Sequence, residues 1–317
     1  MSKVIIYHSD IDRLLDYYVE PGSIDCAVFS PPYYRLRDYK VEGQIGWEKT
    51  PELYIGRMRE VFYKLWNSLK DEGTIWMVIG DSYSSGGKGK WLGYSKEMGE
   101  GLPPLKTPKG YKPKDLLGIP WRLALALQGF SSISSRNIWD LRRKLIDAMT
   151  EKNWDKVTNI TDELSEWAIM SEVEHPLWIR TDIIWNKTNS TPEMAKDRPH
   201  RSHEYIFLFS KKKNYYYDQA LATHKNHNKT VWTIPTDSKK GHHATYPVDL
   251  ATGCILAGCP PNGTVLDPFC GLGTTGLAAL RVGRNAILGD ISLKYCKMSY
   301  NRIKLENPIF YQVELLK

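Results

Sequence analysis

The sequence predicts an α/β fold on a mostly parallel sheet, and three observations carry that expectation. Short apolar runs alternate with stretches of helical periodicity along most of the 317 residues, the pattern of strands joined by crossover helices. Residues 264–280 read as a strand, a glycine turn and a helix start in direct succession. Only residues 291–317 follow Asp290, the acid that closes the next strand. That is enough chain for one helix and a short strand, so the sheet has to be completed from the other end of the molecule.

Taken in order, Val4 to Tyr7 is a strand-like run followed by acids, and Ile11 to Tyr18 a helix. Ile24 to Phe29 reads as a buried strand, Pro51 to Leu69 as a helix with apolar residues at helical spacing, and Thr74 to Gly80 as a further strand. Residues 84–114 hold seven glycines, four prolines and seven lysines without periodicity and read as a basic mobile loop. Ile119 to Gln128 looks helical, and Thr181 to Trp185 with Tyr205 to Phe209 look like two more strands. Residues 131–177 carry Ile138, Leu141, Leu145 and Met149 at helical spacing and read as an insert of two or three helices. The remainder, 1–130 and 178–317, is expected to form a single α/β domain, with a second irregular stretch at 211–243.

A composition 42% hydrophobic and 25% charged excludes disorder as the main state. No run approaches eighteen apolar residues, and the amino terminus lacks a leader pattern, so neither a membrane span nor a secretory signal is expected. The five cysteines (Cys26, Cys254, Cys259, Cys270, Cys296) are odd in number and form no C-x-x-C pair. That argues against a disulfide framework and points to a reducing cytoplasm. The charge is focused: residues 84–114 and 211–243 are each net +5, together more than the whole chain's +7, so the rest is net acidic. Focused lysine suits a polyanion. The insert, with six basic against nine acidic residues, suits packing, dimerisation or positioning better than a phosphate backbone. Residues 211–243 also hold His224, His227, His242 and His243; no carboxylate or cysteine lies close enough in sequence to complete a zinc set, so they read as polar loop histidines and no metal is expected.

Two motifs carry chemistry. In the first, Asp267-Pro268-Phe269-Cys270-Gly271-Leu272-Gly273-Thr274-Thr275-Gly276 follows a strand and opens a helix. Gly271, Gly273 and Gly276 satisfy the nucleotide fingerprint, and Asp290 ends the next strand where an acid can take ribose hydroxyls. An adenosine-type ligand follows, either a nicotinamide dinucleotide or S-adenosylmethionine. The short tail after Asp290 counts against the dinucleotide, which would need a second mononucleotide half. In the second motif, Ser30-Pro31-Pro32-Tyr33 follows the buried strand directly. Two prolines stiffen the backbone and remove two donors, leaving acceptors in the open. An exocyclic amino group needs that arrangement: its nitrogen lone pair is delocalised into the ring until acceptors hold both N–H protons. The Ser30 hydroxyl and the Pro31 carbonyl are the candidate acceptors, and Tyr33 can stack on a base turned out of its duplex.

Together these motifs, in this order, resemble the permuted amino-methylating DNA methyltransferases of the β arrangement, in which the catalytic half precedes the cofactor half. The likeness includes Ile5 to Asp10, Gly73 to Tyr83, Ile119 to Ala124, Asp182 to Lys187, Asp197 to Phe207 and His243 to Leu250, roughly two thirds of the chain in the family's order. It implies a Rossmann-like, circularly permuted sheet that uses S-adenosylmethionine and leaves S-adenosylhomocysteine. Since a sulfonium is already a good leaving group, no metal and no covalent intermediate are called for. Asp10 is implied at the adenine edge and Asp290 at the ribose. Gly271 and Gly273 are implied beside the cofactor, and Asp267, Phe269, Thr274 and Thr245 near its methionine part. Lys187, Arg198 and Arg201 are implied as contacts to double-stranded DNA, with residues 211–243 as the candidate target-recognition segment.

Serine at position 30, where many adenine-modifying relatives have Asp or Asn, points to cytosine N4, with adenine N6 as the alternative. A nicotinamide-dependent oxidoreductase remains a distant third reading. By resemblance the setting is a prokaryotic or phage restriction–modification system, cytoplasmic and nucleoid-associated, with a cognate endonuclease as possible partner and the enzyme a monomer or homodimer. The 131–177 insert interrupts a connection that is ordinarily short, so the resemblance implies no role for it.

Overall fold

A computed structural model of the chain describes residues 2–36, 41, 43–84, 107–108, 110–129, 144–145, 147–161, 176–190, 195–224, 227–237, 246–306 and 311–316. The described strands are β1 (Ser2–His8), β2 (Ile24–Phe29), β3 (Leu69–Ile79), β4 (Trp178–Asn186), β5 (His203–Ser210), β6 (Val231–Thr233), β7 (Thr264–Asp267), β8 (Asn285–Asp290) and β9 (Tyr311–Leu316). They form one nine-stranded sheet in the order β6-β4-β5-β3-β2-β7-β8-β1-β9. The run from β3 to β9 is parallel throughout, whereas β5 is antiparallel to both of its neighbours.

The sheet closes as the chain's ends require: β1 pairs with β8, Val4 opposite Ala286 and His8 opposite Asp290, and β9 adds outside β1. Because β2, β7, β8 and β1 are parallel, their carboxyl ends share one edge, and antiparallel β5 brings its amino end, His203–Glu204, to that edge.

Alternate residues of the central strands face opposite sides, as a sheet covered on both faces demands. Ala27, Phe29, Ile75, Met77 and Ile79 pack with α2 (Pro51–Ser68) and α3 (Ile119–Leu127). Cys26, Val28, Trp76 and Val78 pack on the other face with α4 (Gln219–His224), α5 (Val248–Gly258), α6 (Thr274–Arg281) and α7 (Leu293–Glu306). Helix α2 starts where its sequence says it should: the Thr50 hydroxyl accepts from the Leu53 N–H at 3.2 Å, and Pro51 fills the first turn.

Three elements differ from the sequence reading. Strand β3 begins at Leu69, because polar Lys70 to Gly73 bulge outward between Leu69, opposite Ile24, and Thr74, opposite Cys26. Helix α1 is regular only over Ile11–Arg13 and widens into a π-turn over Leu14–Tyr18; Leu14 fills the space that Gly289 leaves in β8. Residues 211–243 are less irregular than expected, for they hold α4 and the edge strand β6, in which Trp232 is buried between exposed neighbours. His227 is likewise no polar loop residue, being buried with its ring 4.3 Å from that of Trp232. Within 131–177, residues 154–161 are helical and pack Val157 and Ile160 against Leu145 and Ala148. Most of the 84–114 stretch (85–106 and 109) lies outside the described residues. No described helix is long and apolar enough to cross a membrane.

Candidate active site

Strand β2 is buried throughout and ends at Phe29, so Ser30-Pro31-Pro32-Tyr33 emerges at the carboxyl edge with its direction fixed by the core. The turn is braced from beneath: the Tyr54 hydroxyl donates to the Pro32 carbonyl at 2.9 Å, and the Ser82 hydroxyl to the Tyr34 carbonyl at 3.0 Å. Among the described residues no hydrogen bond takes the Pro31 carbonyl. The Ser30 hydroxyl donates to the Tyr33 hydroxyl at 3.2 Å, which in turn donates to Glu204 Oε2 at 2.7 Å. The other Glu204 oxygen is ion-paired with Lys187. Gly80 makes this seat possible, since a Cβ there would lie 2.8 Å from the Tyr33 ring and 3.3 Å from Glu204 Cγ. Burial, and then the Glu204 charge, push the Tyr33 phenol well above its ordinary range, so it stays neutral.

The second half of the site grows from β7 and β8. Asp267 is buried, yet its carboxylate accepts from the Thr275 hydroxyl at 2.6 Å, the Phe269 N–H at 3.0 Å and the Tyr246 hydroxyl at 3.1 Å. Burial raises this carboxyl to about 7 against the pull of those three donors. Asp290 accepts from the Gly271 N–H at 2.9 Å and the Ser292 N–H at 2.8 Å, tying the glycine turn to the end of β8. Burial raises its carboxyl as well. Asp10 stands at the neighbouring strand end, exposed, and caps α1 by accepting from the Arg13 N–H at 2.8 Å.

Gly271 has φ +50° and open space where a side chain would be, whereas Gly273, at φ +72°, faces Ser299 Oγ only 2.1 Å from its would-be Cβ. The second glycine therefore lets α7 close on α6. Thr274 is buried at the start of α6, its hydroxyl accepting from Arg302 at 3.0 Å. Two carboxylates with lone pairs to spare, beside a turn with open space at Gly271, fit the hydroxyl and amino groups of a nucleoside.

The two halves meet. Strands β2 and β7 are hydrogen-bonded neighbours with Cys26 opposite Val265 and Ala27 opposite Leu266, so the turns that carry Ser30 and Phe269 leave adjacent strand ends. The Phe29 and Phe269 rings lie 5.8 Å apart, and the Thr275 hydroxyl that serves Asp267 is also 3.1 Å from the Val28 carbonyl. One polar network thus spans the strand that carries the proline turn and the strand that carries the glycine turn.

On the flank of the proline turn, Arg198 and Arg201 lie 3.8 and 5.1 Å from the ring centroid of Tyr83, and Arg201 also donates to the Asp81 carbonyl. Lys187 differs from these: its ammonium is held by Glu204, and its side chain is only 18% exposed. Thr245, expected near the cofactor, lies outside the described residues. Sequence reasoning did not single out Glu204, Gly80, Tyr246 or Thr275; each sits inside a quoted block, but Glu204 and Gly80 meet Tyr33, and Tyr246 and Thr275 meet Asp267, only in the folded sheet. All five cysteines are free and buried. Among the described residues no cluster of three or more metal-ligating side chains occurs.

Comparison with known proteins bears on the family and the fold. Residues 24–301 match the N6/N4 family model described as DNA methylase. The chain is 40% identical over 291 residues to the type II methyltransferase M.SmaI of Serratia marcescens, covering 88% of this chain and 84% of that protein. It is 36% identical to M.Cfr9I of Citrobacter freundii, covering 90% and 83%. Among solved structures it resembles a putative DNA modification methylase of Thermus thermophilus, crystallised with S-adenosyl-L-methionine (TM-score 0.62, 18% identity, 100% of this chain and 98% of that one). It also resembles the cytosine-N4-specific PvuII DNA methyltransferase (TM-score 0.61, 17% identity, 99% and 95%). With residues 24–301 matched by the family model and 88% of its length aligned to a 40% identical relative, the chain belongs to the N6/N4 family of DNA methylases.

Proposed function

We propose that this DNA methyltransferase modifies the exocyclic N4 of a cytosine turned out of duplex DNA. The observation that carries the reading is the adjacency of the Ser30 turn and the Asp267 network on β2 and β7 at one sheet edge. S-adenosylmethionine, when bound, supplies a methyl group on a sulfonium, and Asp10, Asp290, Asp267, Phe269 and the 271–274 turn are the residues that would hold it. Ser30 and the Pro31 carbonyl take the two amino N–H protons of the target, releasing the nitrogen lone pair from its ring. Tyr33 offers its ring for stacking, offsetting part of the few kcal/mol that unstacking costs. Arg198 and Arg201, already stacked against Tyr83, contact DNA beside the target, and residues 211–243 supply sequence recognition.

A serine before the prolines favours cytosine. The same two acceptors fit the N6 of adenine, which stands as the second reading. Since M.SmaI and M.Cfr9I are type II methyltransferases, a cognate restriction endonuclease is the proposed biological partner. The test is incubation of the purified protein with unmethylated bacterial DNA and methyl-labelled cofactor, followed by digestion to nucleosides and mass identification. Label in N4-methyldeoxycytidine is the expected result; label in N6-methyldeoxyadenosine would replace the first reading by the second, and none in either would overturn both.

A further inference from the structure

We propose that Ser30, Tyr33 and Glu204 form a directed hydrogen-bond relay that makes Ser30 an acceptor toward the target amino group and carries away the proton that group must lose. The inference rests on the amino-methylation reading above and adds Glu204 and Lys187 to it as positioning residues.

The direction follows from what each group can do. An ionised carboxylate only accepts, so the Tyr33 hydroxyl, 2.7 Å away, must spend its proton on Glu204. Its oxygen is then left to accept, and Ser30, 3.2 Å from it, must donate. Ser30 therefore presents lone pairs, not a proton, to whatever lies beyond it at the carboxyl edge of β2. An isolated serine hydroxyl is free to rotate and could equally donate to the ring nitrogen of a base; here that choice is removed. Lys187 holds the far oxygen of Glu204, its ammonium also lying 4.5 Å from the Trp185 ring centroid, so the carboxylate stays aimed at Tyr33. The neutrality of the Tyr33 phenol, enforced by burial and by Glu204, keeps the middle of the chain able both to accept and to donate.

The balance closes. Methyl transfer turns the amino nitrogen into a cation bearing one proton too many. That N–H bond breaks to Ser30 Oγ as the Ser30 proton passes to Tyr33 and the Tyr33 proton to Glu204. The base ends neutral, and Glu204 ends as a neutral acid that returns its proton to water when product leaves. No oxidant or further reactant is involved.

Tyr33→Phe removes the relay hydroxyl while keeping the ring and the Glu204–Lys187 pair; Glu204→Gln keeps an acceptor without the charge. Single-turnover methylation of a duplex carrying the enzyme's mapped site should fall about a hundredfold in each variant, with the cofactor dissociation constant within about twofold of wild type. The double variant should be no slower than the slower single one, because the groups act as a unit. A readout without cofactor separates the relay from general damage: wild type should favour cytosine over 2-pyrimidinone, which lacks the amino group, at the target position. In both variants that affinity ratio should shrink about fivefold. Wild-type rates in Tyr33→Phe, or an unchanged affinity ratio, would overturn the relay even if Glu204→Gln failed to fold. If wild type itself methylates no DNA, the amino-methylation reading fails first.

Discussion

Asp267 shows most clearly how one side chain serves fold and site together. Its carboxyl is buried among three donors and titrates near 7 in the folded chain, against an ordinary value of 3.8. Between those values the folded protein keeps a proton that the unfolded chain has released, so this group's stabilisation is complete below the ordinary carboxylate range and is lost as pH rises through about 7. Melting temperatures measured at pH 5 and pH 8 should therefore differ less in Asp267→Asn than in wild type; an identical pH dependence in the two proteins would contradict the assignment. Asp290 makes a second prediction. Its two backbone bonds hold the glycine turn, so Asp290→Ala should cost about 1–3 kcal/mol of stability by leaving donors unsatisfied. It should also weaken cofactor binding at least about tenfold, or 1.4 kcal/mol, by calorimetry. Unaltered affinity would remove the ribose role.

At the level of elements, the glycines held at positive φ divide into two kinds, those that face a packed side chain and those, such as Gly22 in the turn before β2, that face open space. Gly273→Ala forces a side chain into the left-handed region and onto Ser299, prying α7 from α6. We expect a loss of about 2–4 kcal/mol. Gly22→Ala meets the same backbone penalty at φ +65° but open space, and should cost only about 1 kcal/mol. Equal melting temperatures for the two variants would show that the contact with Ser299 carries no weight.

The central strands were legible because burial on both faces leaves continuous apolar runs such as Ile24 to Phe29, and the proline and glycine turns were legible because their residue types are backbone instructions. The edge strand β6 was not, since three residues around Trp232 are too few to show a period. The partnership of Tyr33 with Glu204 was invisible for another reason: the two are 171 residues apart and meet only because β3 intervenes between β2 and β5. The ion pair of Lys187, implied by the resemblance as a DNA contact, was likewise hidden because its carboxylate partner Glu204 is supplied by the adjacent strand.

For the whole molecule, the decisive feature is that the last strands of the catalytic and cofactor halves are not neighbours in sequence. Strand β1 (Ser2–His8) completes the sheet begun by β7 and β8, so a chain with its ends exchanged would present the same edge. Of the lysines in the two basic stretches, Lys211 and Lys212 pair with Asp71 near the start of β3, at the sheet edge away from the proline turn, and Lys114 pairs with Asp197, while the net +5 of each stretch still suits a polyanion. If about six phosphates are neutralised, DNA affinity should fall about a thousandfold between 50 and 200 mM salt. A flat dependence would assign the lysines another purpose.

The most direct test of the central claim, that this edge methylates an exocyclic amino nitrogen in DNA, is expression in a host free of modification followed by genome sequencing that separates N4-methylcytosine from N6-methyladenine. N4-methylcytosine is expected at one short recurring sequence, absent when Ser30→Ala replaces the wild-type protein. An unmodified genome, or the same marks left by Ser30→Ala, would contradict that claim.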